Sequence, residues 1–172
     1  MGIFRPNIYK KTIFDIPYKK LKEEGIRCLV FDLDNTLGLI SHKNCPEETV
    51  ELVNRLKKDF LVLIISNNTR KRIQFYLDDL GIDGVSWSMK PSIKGLIHIK
   101  KKYHLKKKEM CIIGDQIVTD ILAGKRYRIK TVLVDPLGEK DLKITGLNRK
   151  IEARIIRRYE KRGIFERGNY YE

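Results

Sequence analysis

Two aspartates one residue apart, Asp32 and Asp34, close an apolar run and lead into Asn35-Thr36. At the exit of a strand this spacing lets one carboxylate face a pocket. The turning chain then brings the second to another side of the same substrate. A carboxylate can attack phosphorus to give an aspartyl-phosphate, which splits one hard displacement into two easier ones. The second carboxyl can protonate the leaving oxygen and then deprotonate the hydrolytic water. Further on come Ser66-Asn67-Asn68, Lys90 before Pro91, and Gly114-Asp115 followed by Asp120. Lys90 can set an ammonium against phosphoryl oxygens, and Ser66 and Asn67 can hold them together with backbone N–H groups. A transferring phosphoryl group carries dispersed negative charge, so acids beside it call for an intervening cation. Mg²⁺ suits that role, with carboxylates, a backbone carbonyl, phosphate and waters filling six positions, and Asp115 can complete such a site. A lone DxD or Gly-Asp is most often a turn. The order and placement of the whole set are what carry weight.

Those residues need elements to hold them. The runs 26–33, 60–66, 84–87, 109–115 and 130–135 are short, apolar and rich in β-branched residues, as strands buried on both faces are. Helical patterns lie between them. One opens at Pro46, read as the first helical residue, with Glu47 and Glu48 in its first turn. A second is capped by Asn68 or Thr69 and stops at Gly81; a third starts at Pro91-Ser92 with Leu96, Ile97 and Ile99 inward; a short one follows Asp115. Alternating strands and helices predict a three-layer, doubly wound, Rossmann-like α/β fold. Ligands of such sheets bind beyond the carboxyl ends of the strands, where Asp32, Ser66, Lys90 and Asp115 all fall.

Length and composition add limits. At 172 residues the chain reads as one domain, with a core over about 24–136 and appendages at 1–23 and about 145–162. No apolar run reaches the roughly 18–20 residues of a membrane span, no secretory leader is legible, and a cytoplasmic location is expected. Cys28 and Cys111 sit in apolar runs as small core residues. Thirty-six Lys and Arg against 22 Asp and Glu give a net charge of +14, enough to attract polyanions or anionic lipid. No zinc-ligand cluster, Gly-rich dinucleotide loop or aromatic-basic sheet motif converts that charge into nucleic-acid readout, so nucleic acid is not the expected partner.

DLDNT, IISNN, KP and GDQIVTD, in this order over most of the chain, resemble the four motifs of the haloacid dehalogenase (HAD) superfamily of phosphatases. The resemblance implies Asp32 as nucleophile, Asp34 as acid/base, Ser66 as phosphate binder and Lys90 as charge stabiliser. It also implies Mg²⁺ held by Asp32, the Asp34 carbonyl and Asp115, with Asp120 as a further acid of the fourth motif, ranked below Asp115. The segments 12–16, 21–27 and 90–96 are similar to the YqeG branch, related to mitochondrial phosphatidylglycerophosphate phosphatases. The loop 38–48 departs from the more acidic, Trp-containing loop expected there, which weakens transfer of the substrate but not of the chemistry. About ten residues separate Thr36 from Pro46, and about two dozen separate Ser66 from Lys90. Neither gap holds a cap domain. An open site favours a large substrate, or a lid lent by another subunit.

Residues 145–162 form an amphipathic helical pattern, with Leu147, Ile151, Ile155 and Tyr159 in a stripe and Arg149, Arg154, Arg157, Arg158 and Lys161 elsewhere. The stripe can pack on the chain's own core, or lie at an anionic membrane surface. Three functional readings follow. The first is hydrolysis of a lipid phosphate by a peripherally attached enzyme. The second is hydrolysis of a soluble sugar phosphate or nucleotide, with an oligomer closing the site. The third is a basic nucleic-acid or ribosome binder on a phosphatase-like fold, which the intact set of Asp32, Asp34, Lys90 and Asp115 argues against.

Overall fold

The computed structural model describes residues 2–138 and 143–172, with side chains from Lys150 onward in the second stretch. A seven-stranded sheet runs through the molecule in the order β4-β3-β2-β5-β6-β1-β7. Its strands are β1 (Ile8–Lys10), β2 (Cys28–Phe31), β3 (Leu61–Ile65), β4 (Asp83–Val85), β5 (Met110–Gly114), β6 (Lys130–Val134) and β7 (Asn169–Tyr171). Every pairing is parallel except that of β7 with β1. Parallel strands need covering on both faces, and β2 shows how its residues meet that need. Leu29 and Phe31 join one apolar cluster with Val62, Ile64 and Ile113, whereas Cys28 and Val30 join another with Leu63, Ile65 and Ile112. The period-2 alternation of strand side chains thus feeds two cores, one per face.

Helices α1 (Tyr18–Glu23), α2 (Glu47–Leu56), α3 (Arg70–Leu80), α4 (Lys94–Lys102), α5 (Leu122–Tyr127) and α6 (Lys143–Lys161) complete the layers. Pro46 is the N-cap of α2, one position before the first helical residue expected for it. Of the two candidate caps of α3, Thr69 takes the role, its hydroxyl accepting from the Arg72 N–H. Gly81 ends that helix at φ 58°, the left-handed conformation that glycine adopts without a Cβ clash. A single π-turn, Ile117–Ile121, leads into α5. Only the loop 37–46 separates Thr36 from α2, and only α3 and β4 lie between Ser66 and Ser88. Among the described residues neither gap holds a cap domain.

The run 84–87 is strand only to Val85, and Trp87 leaves the sheet with 65% of its surface exposed. The terminal segments, expected as appendages, supply the two strands at the far edge. Ile8, Tyr9 and Lys10 pair with Val132, Leu133 and Val134, and Tyr171, Tyr170 and Asn169 pair back onto them. Tyr9, Ile117, Ile121, Leu133 and Phe165 form a third cluster, and Ile155, Ile156 and Tyr159 of α6 pack against it. Two members of the expected amphipathic stripe, Ile155 and Tyr159, are therefore spent on the core; Ile151 is 39% exposed, and the side chains of Leu147 and Arg149 lie outside the described residues.

Candidate active site

The carboxyl ends of β2, β3 and β5 bring the acidic residues together. Asp32 follows β2, and its N–H continues the ladder to the Ile113 carbonyl at 2.8 Å. Its carboxylate is buried and accepts from the Lys90 ammonium at 2.5 Å. That ammonium also donates to Asp120 Oδ1 at 2.6 Å and to the Ile65 carbonyl at 3.0 Å, so all three of its protons are placed. Asp115, just past β5, is buried and accepts from the Thr36 hydroxyl at 3.4 Å. Asp32, Asp115 and Asp120 each offer a carboxylate oxygen, all within 4.8 Å of one another. Asp120 thus stands in one group with Asp115, and differs from it in bonding the Lys90 ammonium. Gly114 makes this packing possible, because a Cβ there would lie 2.3 Å from the Asp120 Cγ.

Three buried carboxylates stand together, and two of them share the Lys90 ammonium. Burial lowers the tendency of Lys90 to hold its proton, but Asp120 and Asp32 outweigh it and push its pKa up, so it stays an ammonium. The Asp32 carboxyl is raised well above its ordinary range, first by burial and then by Asp120 and Asp115, against the pull of Lys90. The set is all hard oxygen donors and is buried. It fits a divalent cation of the magnesium class.

Asp34 lies outside that acidic group. Arg72 holds its Oδ1 through Nε at 3.2 Å and Nη2 at 2.8 Å, and Asn68 Nδ2 donates to Oδ2 at 3.1 Å. Any hold of Asp34 on a metal therefore falls to its backbone carbonyl. Arg72 also donates to the carbonyls of His42 at 2.6 Å and Leu39 at 3.2 Å, which ties the loop after Thr36 to the site. Arg72 is absent from the residues singled out in the sequence. Its only signal is a cation in the first turn of the helix after Ser66-Asn67-Asn68. The buried Ser66 hydroxyl accepts from the Asn68 N–H at 3.1 Å. Asn67 uses both ends of its amide elsewhere. Its Oδ1 accepts from the Lys90 N–H at 2.6 Å and the Ser88 hydroxyl at 2.9 Å, and its Nδ2 donates to the Lys90 carbonyl at 3.0 Å. The Asn67 side chain is thus a clamp on the Lys90 backbone, with one of its two amide protons spent on the Lys90 carbonyl.

Beside Asp115 lies a cavity of about 250 Å³, walled by Ile117 and Leu133 below, Glu152, Ile156 and Arg157 of α6, and Arg167. Arg157, grouped in the sequence with the surface cations of the tail, borders this cavity next to an acid of the central cluster.

A family model described as mitochondrial PGP phosphatase matches residues 2–138. The chain belongs to this family. Within the PGP phosphatase family it resembles the Bacillus subtilis protein named "Probable phosphatase YqeG", with 35% identity over 161 residues, 93% of this chain and 94% of the relative. It is 24% identical over 170 residues to phosphatidylglycerophosphate phosphatase 1, chloroplastic/mitochondrial, of Arabidopsis thaliana, covering 92% of this chain and 49% of that protein. Among solved structures, the magnesium-bound HAD-hydrolase YfnB of Bacillus subtilis superposes with a TM-score of 0.56 at 13% identity, over 69% of this chain and 90% of that one. The cobalt-bound deoxy-D-mannose-octulosonate 8-phosphate phosphatase of Haemophilus influenzae gives 0.53 at 17% identity, over 84% and 95%. These two share the fold. The family member described here is a phosphatase, a phosphoric monoester hydrolase, with the fold seen in HAD hydrolases.

Proposed function

We propose that the chain is a Mg²⁺-dependent phosphomonoesterase that works through a phosphoryl group carried on Asp32, with a lipid phosphate of the phosphatidylglycerophosphate type as substrate. The observation that carries the chemistry is the Lys90 ammonium bridging Asp32 and Asp120, with Asp115 completing a buried trio of acids. In this reading an Asp32 oxygen attacks phosphorus and the ester oxygen leaves. Asp34, reachable from the open side and 18% exposed at its side chain, gives that oxygen its proton and later takes one from water. Arg72 and Asn68 hold the Asp34 carboxylate in place. Ser66, the backbone of Asn67 and Lys90 bind the phosphoryl oxygens. Asp32, the Asp34 carbonyl, Asp115 and Asp120 would hold Mg²⁺. When bound, the ion supplies the positive charge that offsets both these acids and the phosphoryl oxygens.

The lipid part of the reading is supported by the name of the plant relative, by the capless mouth and by the basic face of α6. Peripheral attachment at an anionic membrane goes with it, since no described helix is long and apolar enough to cross one. The test is a panel of phosphatidylglycerophosphate, sugar phosphates and nucleotides, each with Mg²⁺, Ca²⁺ or chelator. Highest kcat/KM on the lipid is expected, with turnover requiring Mg²⁺ and inhibited by Ca²⁺, whose longer bonds and larger ligand count spoil octahedral packing. Full turnover in chelator would overturn the metal reading. Efficient hydrolysis of a soluble ester with none of the lipid would overturn the substrate.

Two variants separate the roles. In Asp34→Asn the carbonyl is kept, so calorimetry should show Mg²⁺ binding largely preserved while turnover falls on the order of 10²–10⁴-fold. Gly114→Ala should do the reverse. Its methyl group forces the Asp120 carboxylate aside, and the Mg²⁺ concentration for half-maximal activity should rise about 10–100-fold. An unchanged Mg²⁺ requirement would show that Asp120 does not act on the metal.

A further inference from the structure

Residues 87–90 alternate about the surface. Ser88 and Lys90 are buried, 4% and 6% exposed, while Trp87 and Met89 stand 65% and 62% exposed. Burial of Lys90 at the acids explains why its neighbours face out. It does not explain their size or chemistry. Trp87 and Met89 both have positive φ, 50° and 53°, in the left-handed region where glycine and asparagine are the undemanding occupants and bulky side chains are disfavoured. Two large apolar side chains are thus carried in water on unfavourable backbone, at the very loop that delivers Lys90. Asn67 clamps that loop from within, and the Trp87 N–H donates to the Asn68 carbonyl at 3.0 Å.

The rest of the mouth matches. Leu137, 44% exposed, donates its N–H to the Asn35 carbonyl at 3.0 Å, which ties it to the Asp34 turn. Asn68 bonds both Asp34 and Trp87, so hydrogen bonds link Trp87, through Asn68, and Leu137, through Asn35, to the Asp34 turn. Beyond this apolar rim lies positive charge. Arg126 donates to the Pro91 carbonyl at 3.4 Å, and Arg154, Arg157, Arg158, Lys161 and Arg162 line a shallow groove on α6, with Arg157 also bordering the cavity beside Asp115. Among the described residues none of the five α6 cations makes an ion pair. An apolar rim with an indole at the tip, backed by unpaired cations, is the complement of an anionic bilayer. There tryptophan settles at the headgroup level and arginines meet phosphates. Since Ile155 and Tyr159 are committed to the core, α6 can add charge but little insertion.

We infer that Trp87 and Met89 are the apolar foot on which the enzyme stands on an anionic bilayer, with its catalytic mouth facing the lipid headgroups. The inference rests on the lipid-phosphate reading and says which surface meets the membrane. Trp87 is the sole tryptophan of the chain, so its fluorescence reports this contact alone. The full chain is mixed with phosphatidylglycerol vesicles, with neutral phosphatidylcholine vesicles, and with phosphatidylglycerol vesicles whose acyl chains carry bromine.

On anionic vesicles the Trp87 emission should move to the blue, and brominated chains should quench it. Neutral vesicles should have little effect. Met89→Asp should weaken vesicle binding on the order of tenfold, whereas Phe14→Ser, an exposed apolar residue lying beside Phe60 near the start of β3, should not change it. Vesicle binding with Trp87 unquenched would overturn the inference. So would Trp87 shielding that grows with protein concentration in the absence of lipid, which would mark the patch as a contact between copies of the chain. The two readings can fail separately. Hydrolysis of phosphatidylglycerophosphate in detergent micelles with no Trp87 response to vesicles sinks the foot and spares the substrate. A quenched Trp87 with no lipid phosphate hydrolysed does the opposite.

Discussion

Turnover of Asp32→Asn is expected to fall by about 10⁴-fold or more, the scale on which removal of a nucleophile acts. An amide oxygen in place of the carboxylate cannot form the acyl-phosphate, and no other described carboxylate both touches the Lys90 ammonium and continues the β2 ladder. The fold should survive. Asp32 sits among Asp115 and Asp120 with one ammonium between them, and its carboxyl is raised well above the usual range, burial being the largest cause. A carboxyl whose folded-state pKa is raised favours the fold below its unfolded pKa and loses that contribution as pH climbs through the folded value. In chelator, therefore, the wild-type protein should lose stability as pH rises from the ordinary carboxylate range towards neutrality, and Asp32→Asn should flatten that slope. Thermal melts in chelator across this range, alongside turnover in Mg²⁺, check both halves. Activity near the wild-type level in a folded, undeamidated variant would remove Asp32 from the nucleophile role.

Lys90→Met should be the most destabilising single change at the site. Lys90 is 6% exposed and places its three protons on Asp32, Asp120 and the Ile65 carbonyl. A methionine of similar length fills the space but leaves two buried carboxylates and a carbonyl without their donor. Breaking a buried ion pair by removing one partner costs roughly 3–5 kcal/mol. For a chain of this size that corresponds to a fall in Tm on the order of 10 °C. Turnover should be lost as well, because no ammonium remains to meet the phosphoryl oxygens. The double variant Lys90→Met with Asp32→Asn gives the discriminating comparison. If the cost is uncompensated charge, the second substitution should restore part of the lost Tm although it repairs no packing. Additive losses would mean that Lys90 acts through shape alone.

The central sheet was legible because its strands obey one rule. Runs such as 26–33 and 109–115 are apolar on both faces, and their ends are where polar residues gather. The edge strands were not. β1 and β7 are three residues each, mix aromatic and polar side chains, and pair with partners more than 120 positions away, so no local pattern announces them. The two short gaps leave no room for a cap, and among the described residues none stands in them. At the site, Asp32, Lys90, Asp115 and Asp120 do converge. What stayed hidden was the division of labour among neighbours. Asn67 turns its amide onto Lys90, and Arg72 reaches back from α3 to Asp34, choices set by loop geometry that residue type does not encode. Trp87 reads as a strand residue because it ends an apolar run. The structure instead gives it φ 50° and leaves it 65% exposed, in the loop that buries Lys90.

The central claim is that phosphoryl transfer passes through Asp32, and trapping the transferred group tests it most directly. Wild-type enzyme turning over a phosphomonoester in Mg²⁺ is quenched in acid, reduced with borohydride, and digested for mass spectrometry. An acyl-phosphate on a carboxylate is reduced to the alcohol, while free carboxylates are untouched. Reduction is expected at position 32, dependent on substrate and Mg²⁺ and missing in Asp32→Asn. Reduction at Asp34, Asp115 or Asp120 instead, or none at any aspartate while product accumulates, would contradict it.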